Sequence, residues 1–283
     1  MGTMEKMFSA LGTVNHIAVS FDSNLREEAR RALDEAEDYV CHADDLLSVF
    51  KPDSEVSVIN RNAGLCDTRV CADTFELLRR SVELGSMTGG AFDITTMPLT
   101  QSGRVKARVD YRDIVLHPED MSVRLRHKRQ AIHLGGIAKG YAVDRVASIL
   151  KRHSLTCAGI NLGGTVRNIG PSRRVGIRNP FDPGKIIAVL GSTEEAVVTS
   201  GLYERGSHIY DPAAGKPAQT DVASVTAVGI DGAAADAVAT ACVVLGIERG
   251  IELLDSLGLD GFFVRTNGEI LATQGLTSRV QII

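Results

Sequence analysis

The stretch Ser122–His153 reads SVRLRHKRQAIHLGGIAKGYAVDRVASILKRH, and its patterning decides the fold class. Val123 and Leu125 alternate with Arg124 and Arg126, the two-residue period of a half-buried strand. The polar run His127–Gln130 suits a turn, so Ser122–Leu134 is expected to fold as a β-hairpin. Gly135 and Gly136 follow. Ile137, Tyr141, Val146 and Ile149 then fall on one side of a helix spanning about Ile137–His153. A hairpin running into a helix is not the strand–helix–strand unit of a parallel sheet.

The same logic extends outward. Ile17, Val19 and Phe21 alternate in a strand over Asn15–Phe21. Leu25, Ala29, Leu33, Ala36 and Val40 give a helix over Asn24–Leu47 one apolar face. Asp73 and Glu76 form a capping-box pattern ahead of a helix over Thr74–Gly85. The segment Ile160–Ile169 is interrupted by Gly163-Gly164. Strands are expected at Lys185–Leu190, Ala196–Thr199 and Ser224–Ile230, and a helix at Ala233–Leu245. A final hairpin, Gly261–Thr273, turns at Asn267-Gly268. The sum is an α+β fold with largely antiparallel sheets and packed helices. No internal repeat or linker is visible, so residues 1–283 read as one domain with room for two lobes.

Composition narrows the function. The 283 residues are 44% hydrophobic and 23% charged, with a net charge of −4. That balance gives no general attraction to nucleic acid or anionic membranes. No apolar run is long enough to span a bilayer, and no signal peptide is visible, so a cytoplasmic location is expected. The five cysteines lack C-x-x-C spacing, which argues against zinc or a disulfide framework and reads as small buried hydrophobes.

Four constellations could carry chemistry. The run His133–Asp144 holds Gly135, Gly136 and Gly140 at a helix start, where free N–H groups favour an anion such as phosphate. It is neither G-x-G-x-x-G nor a P-loop, because Tyr141 stands where lysine is required. A plain strand–helix turn fits it as well. Asp236 and Thr240 lie one helical turn apart and can offer hard oxygens to Mg²⁺. A helix cap and a hydroxyl bonded back to a carbonyl are the commoner explanation of such a pair. The segment Thr199–Arg205 is followed by His208, one of seven histidines, a residue suited to proton transfer near neutrality. The run Thr88–Thr95 embeds Asp93 in a glycine-rich loop, which also reads as a helix C-cap at Gly89 or Gly90 and then a strand.

Taken in order, these blocks resemble the ApbE family of FAD:protein FMN transferases. The matching runs are Gly12-Thr13, Ser54–Asn60, Gly89–Thr95 with Pro98-Leu99, Leu134–Asp144, Asn161–Gly164, Thr199–Arg205, His208–Pro217 and Asp236–Thr240. The resemblance implies a T-fold-like architecture and Mg²⁺-dependent movement of FMN from FAD onto a threonine of an acceptor protein, with release of AMP. It implies Mg²⁺ ligands at Asp236, Thr240 and the Gly136 carbonyl. It implies FAD contacts at Leu11, Phe50, Ala91, Phe92, Asp93, His133, Lys139 and Ile209, and a base at His208. The chain departs from the family pattern at several positions. His133 replaces an acidic residue, Thr165 an aspartate, Leu202 a polar residue, and Ala213-Ala214 a basic–threonine pair. Two other readings stay open: a Mg²⁺-dependent FAD pyrophosphatase releasing FMN and AMP, and, given these departures, a flavin-binding or scaffold protein without turnover.

Overall fold

The computed structural model describes residues 1–97, 109–202 and 209–283. Strand β1 (Gly2–Ala10) and β2 (Thr13–Phe21) form a hairpin closed by only two residues. Both of these, Leu11 and Gly12, have positive φ, at 55° and 70°. Such a turn matches the right-handed twist of its strands, but leucine adopts it at a steric cost. Then come β3 (Ala158–Leu162), β4 (Thr165–Ile169), β5 (Ala196–Gly201), β6 (Val222–Gly229), β7 (Asp260–Arg265) and β8 (Ile270–Ala272). These eight strands make one sheet in that order, and every neighbouring pair is antiparallel.

Helices cover one face of the sheet. Helix α1 (Arg26–Leu47) buries Ala29, Ala32, Leu33, Ala36, Val40 and Ala43, spaced three or four apart. Helices α2 (Glu55–Arg61) and α3 (Ala72–Met87) follow, then α4 (Ala138–Arg152), α5 (Gly232–Leu245) and α6 (Ile247–Ser256). Ten of the 14 residues of α5 are buried, so this alanine-rich helix is enclosed and anything polar on it sits inside the protein.

Alternation along the strands produces two cores. Val198, Ala227 and Phe263 point to the helices. Their neighbours Val197, Val228 and Phe262 point the other way, against Ile177, Leu190 and Leu276. That second layer is a three-stranded sheet of Arg173–Arg178, Ile186–Ser192 and Val280–Ile282.

The α+β class and antiparallel pairing agree with the sequence reading; four local expectations are corrected. Ser122–Leu125 is a strand, but it pairs with Ile114–His117 before it and Thr68–Arg69, not with 131–134. The backbone of Ile132 is instead held by Asn60, whose Oδ1 accepts Ile132 N at 2.8 Å. Asp73 does not cap α3: the N-cap position is Cys71, and Asp73 accepts from Tyr141 Oη at 3.3 Å. The chain after Gly89-Gly90 forms a 3-10 turn, Ile94–Thr96, because Asp93 Oδ1 captures Thr95 N at 2.7 Å. Of the cysteines, Cys242 is buried, Cys66 is exposed and the other three are half-buried.

Candidate functional site

Helices α4 and α5 run past each other in opposite directions, and their contacts step by four residues. Asp144 Oδ2 accepts Gly232 N at 2.8 Å. Asp236 Oδ2 accepts Gly140 N at 2.9 Å. Gly136 then meets Thr240: a methyl placed on Gly136 would come 3.2 Å from Thr240 Oγ1 and 3.4 Å from Phe92 Cε2. A methyl on Gly140 would collide with the Gly232 carbonyl oxygen, so glycine there is what lets the helices approach. The structure therefore brings Gly136, Asp236 and Thr240 together, with Phe92 beside them.

Around Gly136 and Asp236 the described polar groups are hard oxygens and the Lys139 ammonium. Asp236 is 2% exposed. Thr240 Oγ1 lies 3.2 Å from Asp236 O and 3.4 Å from Ser200 Oγ on β5. The back-bonded threonine of the plain reading is thus present, while the helix cap is Asp231, whose Oδ1 accepts Ala234 N at 2.9 Å. Lys139 Nζ sits 3.9 Å from Asp236 Oδ2 and donates to Gly135 O at 3.3 Å. Among the described residues no three histidine, cysteine, aspartate or glutamate side chains cluster to hold a metal. A cation here would use one carboxylate, hydroxyls and oxygens from backbone or ligand, a donor set that suits Mg²⁺ and not zinc.

The other candidates fall at different distances from this centre. His133 leads into the glycine turn; its N–H donates to Ile94 O at 2.8 Å and its Nδ1 accepts Gly135 N at 3.2 Å. Ala91, Phe92 and Asp93 are buried in the preceding loop. The Asp93 carboxylate takes Thr95 N, Thr95 Oγ1 and Tyr111 N, so it shapes that loop from within. Burial raises its pKa above the usual range, against the pull of those hydrogen bonds. Leu11 is half-buried against the core at the β1–β2 turn. Ile209 is 6% exposed and its carbonyl accepts Ala218 N at 3.0 Å. Phe50 is 86% exposed on the turn after α1. His208 lies outside the described residues.

The departures are locally accommodated. Thr165 is buried at the start of β4, and Leu202 packs at the edge of the core. The amides of Ala213 and Ala214 both donate to Asp211 Oδ1, at 2.9 and 3.0 Å, in an exposed turn. Sequence reasoning passed over Arg167, and gave no role to Ser200 or Asp144 although both lie in runs it singled out. Asp144 is four residues beyond Gly140 and shares its helix face, a spacing that could have drawn attention to it.

Comparisons with known proteins bear on the family and the fold. The ApbE family model matches residues 11–263. A Treponema pallidum protein named FAD:protein FMN transferase is 30% identical over 96% of this chain and 87% of its own length. One of the same name from Klebsiella pneumoniae is 31% identical over 81% of this chain and 80% of its own. The solved ApbE protein of Thermotoga maritima superposes with a TM-score of 0.85 at 28% identity, covering 97% of this chain and 98% of that one. The flavin transferase ApbE of Vibrio cholerae gives 0.81 at 22% identity over 98% and 99% of the two chains, a likeness of fold. A family match across residues 11–263, with a relative 30% identical over 96% of the chain, places this chain in the ApbE family.

Proposed function

We propose that this chain is an FAD:protein FMN transferase that uses Mg²⁺ to move FMN from FAD onto a threonine hydroxyl of an acceptor protein. The observation that carries the reading is the meeting of Gly136 with Thr240 one turn along from buried Asp236, a hard-oxygen corner inside a chain of this family. Asp236, Thr240 and the Gly136 carbonyl would hold the cation. When bound, Mg²⁺ supplies neutralisation of charge on the pyrophosphate oxygens.

The protein's own groups do the rest. Lys139, 3.9 Å from Asp236, adds a positive charge beside the phosphate position. Leu11, Phe50, Ala91, Phe92, Asp93, His133 and Ile209 frame the flavin nucleotide, with Asp93 acting through the loop it shapes. His208 accepts the proton of the incoming threonine hydroxyl. The oxygen of that hydroxyl bonds to the FMN phosphorus. The bond from that phosphorus to the bridging oxygen breaks, and AMP leaves with the oxygen.

The test incubates protein, FAD and Mg²⁺ with and without a threonine-containing acceptor peptide, following AMP and peptide mass. Transfer gives a mass gain equal to FMN that Asp236→Ala abolishes. AMP released equally without peptide makes the protein a pyrophosphatase, and no AMP in either arm overturns both enzymatic readings.

A further inference from the structure

We propose that Asp144 is a positioning residue for the cation site: it ties the start of α5 to α4 and so sets the height at which Asp236 and Thr240 face Gly140 and Gly136. This rests on the metal reading above. The first amides of a helix have no partner within it. Asp231 caps one of them, Ala234 N. Asp144, reaching across from α4, accepts two others, Gly232 N at 2.8 Å and Ala233 N at 3.3 Å. A carboxylate at that end is also favoured by the helix dipole.

The other oxygen is fixed from the sheet. Arg167 on β4 donates through Nη1 to Asp144 Oδ1 at 2.5 Å and to Ile230 O at 2.5 Å, and through Nη2 to Glu194 O at 3.3 Å. One guanidinium therefore grips both the carboxylate and the segment that leads into α5. Arg167 is 8% exposed and its Nε has no partner, so the pair is held at a desolvation cost. Packed apolar side chains could join two helices without that cost. They would not define which turn meets which. A slip of one helical turn, about 5.4 Å, would take Asp236 away from Gly140.

Asp144 is partly buried and lies among charged groups. It faces Arg167 from β4 and Asp231 from α5, with Glu194 behind the arginine. Burial pushes its pKa up to about 6. A raised carboxylate pKa means that stability from this group is complete at low pH and is lost as pH rises through about 6.

The experiment measures Mn²⁺ binding by electron paramagnetic resonance at pH 7.5 with FAD present, alongside melting temperature and Mg²⁺-dependent transfer. The proteins are wild type, Asp144→Asn, Arg167→Lys and Ile149→Val, a core control on α4. Asp144→Asn is expected to weaken Mn²⁺ binding about tenfold, as loss of a supporting partner does at metal sites. Its melting temperature should fall, because Arg167 loses its buried counter-charge, while turnover at saturating Mg²⁺ persists. Arg167→Lys should shift binding the same way by less. Ile149→Val should lower the melting temperature and leave Mn²⁺ binding alone. Wild-type Mn²⁺ affinity in Asp144→Asn overturns the proposal. Parallel loss of stability and Mn²⁺ affinity in Asp144→Asn and Ile149→Val also overturns it. If Asp144→Asn does not fold, unchanged binding in Arg167→Lys overturns it and weakened binding supports it. A wild type that binds no Mn²⁺ beyond FAD alone removes the metal reading and this proposal together.

Discussion

Gly140 and Gly136 sit four residues apart, and replacing each with alanine should separate packing from function. At Gly140 the added methyl meets the backbone carbonyl of Gly232, which cannot swing aside. Gly140→Ala is therefore expected to lose about 1–3 kcal/mol of stability in urea unfolding, the range for an overpacked core. At Gly136 the methyl meets the Thr240 hydroxyl at 3.2 Å and the Phe92 ring edge at 3.4 Å, which needs only a small shift. Gly136→Ala should fold normally and need more Mg²⁺ for half-maximal transfer, read from a magnesium titration. These two roles show what the sequence carries at this scale. The run Gly135–Gly140 already read as a place where something approaches the backbone. What approaches Gly140 is α5, and its hydrogen-bond partner Asp236 is 96 residues away, a separation that no local pattern encodes. Asp93 was legible as a carboxylate in a glycine-rich loop, but its inward bonding depends on Tyr111, 18 residues on.

Among the elements, α1 and α4 are joined at one end by a charged cluster. His153, at the C-cap of α4, pairs through Nδ1 with Glu28 and through Nε2 with Glu35 at 2.7 Å. Hydrogen bonds to Glu35 and Glu28 raise the His153 pKa. Its contribution is complete below its ordinary value, about 6.5, and is lost as pH rises through the raised one. His153 also lowers the pKa of both glutamates, so their share persists above the ordinary carboxylate range and fades as pH falls through the depressed values. His153→Gln should thus be less stable than wild type at pH 6, with the gap closing by pH 9 in urea titrations. If the gap is the same at both values, the cluster does not hold the helices. Long helices such as α1 were readable because three or four apolar positions per two turns repeat along the whole element. Strand β1 was missed because its residues alternate between exposed and half-buried at a sheet edge, with only Ala10 fully buried. Ser122–Leu125 was recognised as a strand and given the wrong partner, since alternation reveals a face and not a neighbour.

At the level of the whole molecule, the chain writes the same plan twice. A hairpin, helices and a hairpin occupy β1 to β4, and again β5 to β8. No sequence repeat betrays it, because each half fills its plan with different residues and different insertions. The two halves share little sheet: β4 and β5 pair only through Ala196 with Arg167 and Val197 with Val166. Their union depends on the α4–α5 seam, and the proposed site straddles it, with Gly136 from one half and Asp236 and Thr240 from the other. FAD and Mg²⁺ together should therefore stabilise the entire fold. At a hundredfold excess over the dissociation constant the gain should be about 2.7 kcal/mol, visible as a raised melting temperature that chelation of the metal reverses. A melting temperature indifferent to FAD with Mg²⁺ would contradict a site on that seam.

The seam also bears on how the protein is made. A ribosome delivers the glycine turn early and the segment holding Asp236 some 96 residues later. On the proposed reading, the nascent chain displays half of a nucleotide cradle before it owns Asp236 to anchor a cation. The proposed transfer would thereby be withheld from unfinished chains, and its onset would mark the moment at which the second half has docked on the first.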